Sequence, residues 1–339
     1  MDFLNIFYRL VNPYLIEIEA NKLNSSEPKH TGETVSTTNL NEEFEYVDTL
    51  KALNKLKNEL SCRDRIKEIA VDLEHHNMRS YQGYTCLLQI STRYKDYVID
   101  AIKLRSNINI LNEIFTDSTL LKVFHSPFCD VKWLQKDFGI YLVNIFDTSA
   151  AGFLLKKRQF ALKEFIELYF NVKINKNYTM ADWSVRPLKM GMIDYARNDT
   201  HYLLSIYDNL RSELVNKTLF KVCQDNSNEI CKKVYVKPTF DLKASRHRLK
   251  NKSYSKSISL SHRQIKAIDL LSEWRDNLAR ELDESCEYVL KNEVLFKIGK
   301  VMPKNRKELF ELLVNLYDES IVQIRENEIL QLVLRARNF

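Results

Sequence analysis

The 339-residue chain contains no Cys-x-x-Cys pair. Its six cysteines (Cys62, Cys86, Cys129, Cys223, Cys231 and Cys286) are scattered, so neither a zinc framework nor a secreted disulfide scaffold is encoded. Reduced thiols, as in a cytosolic or nuclear protein, are expected. No apolar run approaches the ~18 residues of a membrane span, and no membrane partner is expected. The opening Met1-Asp2-Phe3-Leu4 lacks a basic n-region, which argues against a secretory signal. Internal repeats are missing too. So is a dominant charge of one sign: Lys+Arg 51 against Asp+Glu 45 leaves a formal +6. That balance suits a polyanionic partner without requiring one. Hydrophobic residues at 45% and aromatics at 11% describe a globular chain, long enough for two domains with separate cores.

Residues 1–45 read as an N-terminal arm, with an apolar cluster (Phe3, Leu4, Ile6, Phe7, Leu10, Val11) expected to pack on the main domain and a polar, loop-like stretch after it. Helical spacing from Val47 to Leu60 leads into a short strand, Ile69 to Glu74. Further strands are expected at Tyr84–Thr92 and Tyr97–Ile102, close enough in sequence to form an antiparallel meander. Helix and strand then alternate: a helix at Ile108–Phe115, a strand at Leu121–His125, a helix at Asp130–Phe138 and a strand at Leu142–Phe146, with helices to about Leu214. A meander followed by alternation predicts an α/β domain with a mixed sheet flanked by helices, over residues 46–225. Residues 226–261 lose apolar period and gain charge, most of all at Lys243 to Lys252, and read as a basic linker. From 262 to 339 the pattern is helical: Leu270, Leu271, Trp274 and Leu278, a break at Pro303, then Leu309 to Leu316, and a last helix with Ile321, Ile324 and Leu330.

The chemistry starts at Asp72 and Glu74. A strand of period two puts both on one face, with Val71 and Leu73 on the other. Two carboxylates about 5 Å apart repel by roughly 3 kcal/mol at an effective dielectric near 20, so a positive charge is expected between them, and a hard cation such as Mg²⁺ takes carboxylate oxygens readily. A plain strand whose acids face water is the ordinary alternative for this pair alone. Asp130 stands at the start of a helix, where an N-cap role would explain it equally well. Tyr195 and Asp199 fall at i and i+4 on one helix face; a core tyrosine beside an incidental acid is the plain alternative. Taken together, Asp72, Glu74, Asp130 and Asp199 supply the carboxylates a two-metal centre needs, with cations ~3.5–4 Å apart.

The wording around those acids resembles the ribonuclease D family of DEDD 3′→5′ exonucleases. The first motif is Val71-Asp-Leu-Glu-His-His76 followed by Arg79-Ser-Tyr-Gln-Gly83. The second runs from Val123-Phe-His-Ser-Pro-Phe-Cys-Asp130 to Gly139, and the third joins Ala181-Asp-Trp-Ser-Val-Arg-Pro-Leu188 to Tyr195-Ala-Arg-Asn-Asp-Thr-His-Tyr-Leu-Leu204. Tyr195 marks the DEDDy subclass. The double histidine and the Arg-Ser-Tyr-Gln-Gly run are similar to the eukaryotic exosome-associated branch. Trp274 to Leu290 resembles the opening of an HRDC domain. The wording departs from the family's in three places: after His125, Ser126-Pro127-Phe128 stand where the motif usually has glycine and then small and acidic residues, Lys189 replaces proline, and Asn198 replaces an acid.

The resemblance implies an RNase H-like exonuclease fold followed by a small all-α HRDC domain. It implies metal ligation by Asp72, Glu74, Asp130 and Asp199, with two Mg²⁺ ions (Mn²⁺ as the substitute), and a Tyr195 hydroxyl that orients the attacking water. His75, His76, His125 and Trp133 come near the terminal nucleotides in that reading, although Trp133 at core spacing and His125 at the end of a buried strand read as structural. The implied activity is 3′–5′ exoribonuclease action releasing nucleoside 5′-monophosphates from single-stranded RNA 3′ ends. The implied setting is nuclear RNA processing and decay (nucleolus and nucleoplasm) with the RNA exosome core, the chain being a monomer outside it. A catalytically silent RNA-binding scaffold and a DNA-directed exonuclease are the rival readings.

Overall fold

The computed structural model describes residues 12–24, 44–174, 176–250, 258–314 and 325–339. The apolar cluster expected at Phe3–Val11, and Leu316, Ile321 and Ile324 near the C-terminus, lie outside the described residues. The chain divides into two compact units, Met1–His75 with Tyr84–Val236, and His76–Gly83 with Lys237–Phe339.

The first unit is a mixed sheet with helices. Its order along the chain is α1 (Leu15–Asn24), β1 (Phe44–Val47), α2 (Leu50–Leu60), β2 (Glu68–His76), β3 (Tyr84–Ser91), β4 (Asp96–Asp100), α3 (Asn112–Thr116), β5 (Leu121–Phe124), α4 (Phe128–Phe138), β6 (Ile145–Asp147), α5 (Thr148–Leu154), α6 (Leu162–Phe170), α7 (Met190–His201), α8 (Leu203–Asn216) and α9 (Phe220–Cys231). The strands lie in the order β1-β4-β3-β2-β5-β6. β3 pairs antiparallel with β4, as a short connection demands, while β1–β4, β2–β5 and β5–β6 are parallel. Two strand readings shift. β1 falls partly in the stretch read as an arm and joins the sheet instead, Phe44 opposite Asp96 and Val47 opposite Ile99. The strand expected from Leu142 begins only at Ile145.

Period two on β2 sorts its side chains between two cores. Ile69, Val71 and Leu73 join the cluster containing Leu53, Leu56, Leu60 and Phe124. Ala70 faces the other way, into the cluster of Phe146, Tyr202, Ile206 and Tyr207. Asp72 and Glu74 continue the face that Ala70 starts. Thr49 caps α2 by accepting from the Ala52 N–H, and Gly139 (φ 65°) ends α4 in the left-handed conformation that glycine adopts without a Cβ penalty.

The second unit has its own core, built from α10 (Leu242–Lys250), α11 (His262–Leu282), α12 (Cys286–Val289), α13 (Asn292–Val301), α14 (Arg306–Val314) and α15 (Glu326–Arg337). A Ser261/Gln264 capping box starts α11. Within this unit Arg79 forks onto Glu284, and the Tyr81 hydroxyl donates to Asp276 at 2.7 Å. The stretch read as a linker is partly helical. α9 runs to Cys231, and α10 buries Ser245 and Leu249 while showing basic residues outward. Two buried positions among its eight described side chains leave little apolar period for a sequence reading to detect.

Candidate active site

Three elements bring the four acids together. β2 carries Asp72 and Glu74, the first turn of α4 carries Asp130, and α7 carries Tyr195 and Asp199 one turn apart. One carboxylate oxygen each from Asp72, Glu74 and Asp199 lie within 4.8 Å of one another. Asp130 stands outside that tight trio but within electrostatic reach of Asp72 and Glu74. It is only 6% exposed, and Pro127 rather than Asp130 occupies the N-cap of α4. Asp130 is therefore not the N-cap residue itself, although its carboxylate meets its own backbone N–H in the first turn.

The electrostatics record an uncompensated site. Burial, opposed by the Leu73 N–H, pushes the Asp72 carboxyl up to about 7. Glu74 is raised by burial first and then by Asp72, Asp199 and Asp130. Asp130 and Asp199 are raised by burial and next by Asp72. Among the described residues no lysine or arginine forms an ion pair with any of the four. Desolvated carboxylates that repel one another and meet no protein cation are a costly arrangement without a ligand. An all-carboxylate donor set in this state fits hard divalent cations, which prefer oxygen ligands.

Tyr195 is held by the segment that precedes α7. Its ring lies against Trp183 (6.0 Å) and edge-on to Tyr178 (6.3 Å), and its hydroxyl is 3.3 Å from Thr179 Oγ1. Burial, and then the charge of Asp199, pushes its pKa up to about 12. The phenol thus stays protonated across the working range.

The histidines and tryptophan divide. His75, next to Glu74, stacks on Trp133 of α4 at 4.2 Å and 9°. His125 is tied into the protein: its Nδ1 meets Thr148 Oγ1 at 2.9 Å, Phe165 meets it edge-on, and burial lowers its pKa. The turn before α4 is fixed by Asp147, which accepts from the Ser126 N–H at 2.9 Å as well as capping α5.

Sequence reasoning missed the support beneath these residues. Asp96 on β4 is buried and accepts from His201 Nδ1 (2.9 Å), Arg197 Nη2 (3.1 Å) and Ser91 Oγ (2.8 Å), which binds α7 to the sheet through the helix face away from Asp199. Arg186 donates to both oxygens of Asp100 (2.7 and 2.9 Å) and to the Cys86 carbonyl, anchoring the segment before α7. The signal for both was present in the motif wording, in Arg186, Arg197 and His201.

Comparison with known proteins agrees with this geometry. The 3′-5′ exonuclease family model matches residues 44–215, and the HRDC domain model matches residues 264–332. Human exosome complex component 10 is 44% identical over 269 residues, covering 76% of this chain and 29% of that protein. The exosome complex exonuclease RRP6 of Saccharomyces cerevisiae is 38% identical over 267 residues, 76% of this chain and 36% of the yeast protein. The chain therefore spans about a third of these relatives' length. The crystal structure of the catalytic core of RRP6 from Trypanosoma brucei superposes with a TM-score of 0.85 at 34% identity, covering 96% of this chain and 88% of that one. A mixed sheet carrying clustered acids, a family match over half the chain, and a solved homologue matched nearly end to end place this protein in the DEDD 3′–5′ exonuclease family, with an HRDC domain behind the exonuclease domain.

Proposed function

We propose that the chain is a metal-dependent 3′–5′ exoribonuclease that removes nucleotides from single-stranded RNA 3′ ends as 5′-monophosphates and works with the RNA exosome in nuclear RNA processing. The observation that carries the reading is the convergence of Asp72, Glu74 and Asp199, with Asp130 in electrostatic reach, and no protein cation among the described residues to neutralise them. Asp72, Glu74, Asp130 and Asp199 would hold two divalent ions, Mg²⁺ with Mn²⁺ as a substitute. Bound there, such ions lower the pKa of a water and stabilise the leaving 3′ oxygen.

The chain's own groups do the remaining work. Tyr195, protonated and held by Trp183, Tyr178 and Thr179, offers a fixed hydroxyl to orient the attacking water. With its pKa so far up it does not serve as the base at neutral pH. Asp72 must be ionised to ligate, so its carboxyl at about 7 makes ligation favour the alkaline side of neutrality. The His75–Trp133 stack beside Glu74 braces the end of β2 against α4. The exosome partnership and nuclear setting draw support from the names of the human and yeast relatives.

The test is a 5′-labelled single-stranded RNA digested with and without Mg²⁺ by the native chain and by Asp72→Asn. Stepwise shortening that needs the metal, and a loss of at least about a hundred-fold in the variant with the melting temperature retained, are expected, since several kcal/mol of transition-state stabilisation depend on the ligand set. Undiminished digestion by Asp72→Asn would refute the reading. Binding of RNA without digestion would leave the scaffold reading in its place.

A further inference from the structure

The turn between α5 and α6 combines two features that the active site does not use. Phe153 is 71% exposed and Phe160 38% exposed, and their rings meet edge to face at 6.5 Å. Single exposed apolar residues are ordinary, but two touching phenylalanine rings on a surface form a small apolar platform. Between them in sequence lie Lys156, Lys157 and Arg158. Lys157 is engaged by Glu213 at 2.7 Å and lies near the Tyr169 ring. Lys156 and Arg158 are exposed, and no ion pair reaches them among the described residues.

Close packing at Gly152 brings the two rings together. A Cβ on Gly152 would stand 2.6 Å from Phe160 Cβ and 2.7 Å from the tip of Phe165, so only glycine lets the returning chain lie this close on α5. Lys156 turns the chain in a left-handed conformation at φ 55°. Phe165, which touches the same glycine site, also meets His125 edge-on at the end of β5, five residues before Asp130. The platform is thus linked through one side chain to the strand end from which α4 and its acid depart.

From this we infer that Phe153 and Phe160, with Lys156 and Arg158, form an accessory binding surface for single-stranded RNA, engaging the chain upstream of the 3′ end being removed. Flat apolar rings beside cations without acidic partners are what a polyanion with stackable bases selects. A peptide partner would have to be acidic and aromatic-seeking at once. The inference rests on the exoribonuclease reading above and adds a second contact to it.

The test compares an unstructured RNA of roughly twenty nucleotides with a trinucleotide too short to reach beyond the active site. Phe153→Ala is expected to raise KM for the long RNA about ten-fold, within the range measured for loss of one stacked base, with kcat on that RNA and kinetics on the trinucleotide unchanged. The double variant Lys156→Ala/Arg158→Ala is expected to weaken long-RNA binding and flatten the dependence of log KM on log salt by about 1.4, two phosphate contacts at about 0.7 each. Both changes are at exposed positions, and equal melting temperatures will show the fold intact. If the native chain fails to digest RNA, the underlying reading falls. If it digests RNA and both variants keep the native KM on the long substrate, or lose activity equally on both lengths, the accessory surface is refuted.

Discussion

At the scale of single residues the site depends on backbone as much as on acids. Ser126 sits at φ 59°, a conformation that costs an L-residue about 1–2 kcal/mol, in the turn that leads to Asp130. The family wording usually has glycine there, and the hydrogen bond from the Ser126 N–H to Asp147 offsets part of that cost. Ser126→Gly relieves the backbone but adds freedom to the unfolded chain, for a net gain of about 0.5–1 kcal/mol. A rise in melting temperature of about 1–3 °C with turnover unchanged is expected in a thermal scan paired with an RNA digestion assay. A lower melting temperature would mean that the serine side chain does more than fill the position. Asp130 shows the limit of reading one residue from sequence. An acid in the first turn of a helix satisfies both the capping and the ligand hypotheses, and Asp130 has features of both: its own backbone N–H as a partner, and burial beside Asp72.

Secondary-structure elements explain why half of the site was legible and the other half was not. Alternation along β2 puts Asp72 and Glu74 on one face, and the i, i+4 relation on α7 aligns Tyr195 with Asp199; both are local periodicities that a sequence displays directly. What holds α7 against the sheet is not local. Asp96 meets Arg197 and His201 across 101 and 105 residues of chain, and no pattern within one element encodes that pairing. β1 escaped for the same reason, since a four-residue strand is defined by its partner β4. The dependence on Asp96 is measurable. Asp96→Asn leaves the buried Arg197 without its main counter-charge, a loss of about 3 kcal/mol or more by the record of broken buried ion pairs. Below the variant's melting temperature α7 is expected to sit less accurately, with kcat down about ten-fold, because small displacements of a ligand-bearing helix are costly in catalysis. The Mg²⁺ concentration for half-maximal rate should rise as well, a shift that lowered stability alone does not produce. Native kcat and native metal requirement in the folded variant would reduce Asp96 to a packing role.

For the whole molecule, the four raised carboxyl groups tie stability to pH and to metal. Each has a folded pKa above its unfolded value near 4, so it favours the folded state fully at low pH, and that contribution is lost as pH rises through the folded value, about 7 for Asp72. The metal-free chain should therefore lose the Asp72 contribution between about pH 4 and about 7, and the other three acids act in the same direction. Two buried bases act in the opposite sense: His125, lowered by burial, and Lys122, pushed down to about 7 in the sheet core, where it donates to the Asp117 and Leu120 carbonyls. The raw pH profile mixes these contributions, but the difference between native chain and Asp72→Asn isolates the acids. In a chelator, calorimetry should show Asp72→Asn gaining on the native chain as pH rises from about 4 to about 7, by an amount on the order of a few kcal/mol. Adding Mg²⁺ at about pH 8 should raise the native melting temperature, because the ions bind the folded state alone, and should raise that of Asp72→Asn far less. If the two chains keep a constant stability difference across that range, the carboxyl groups titrate as they would in water. The electrostatic strain assigned to the site would then be absent from the molecule.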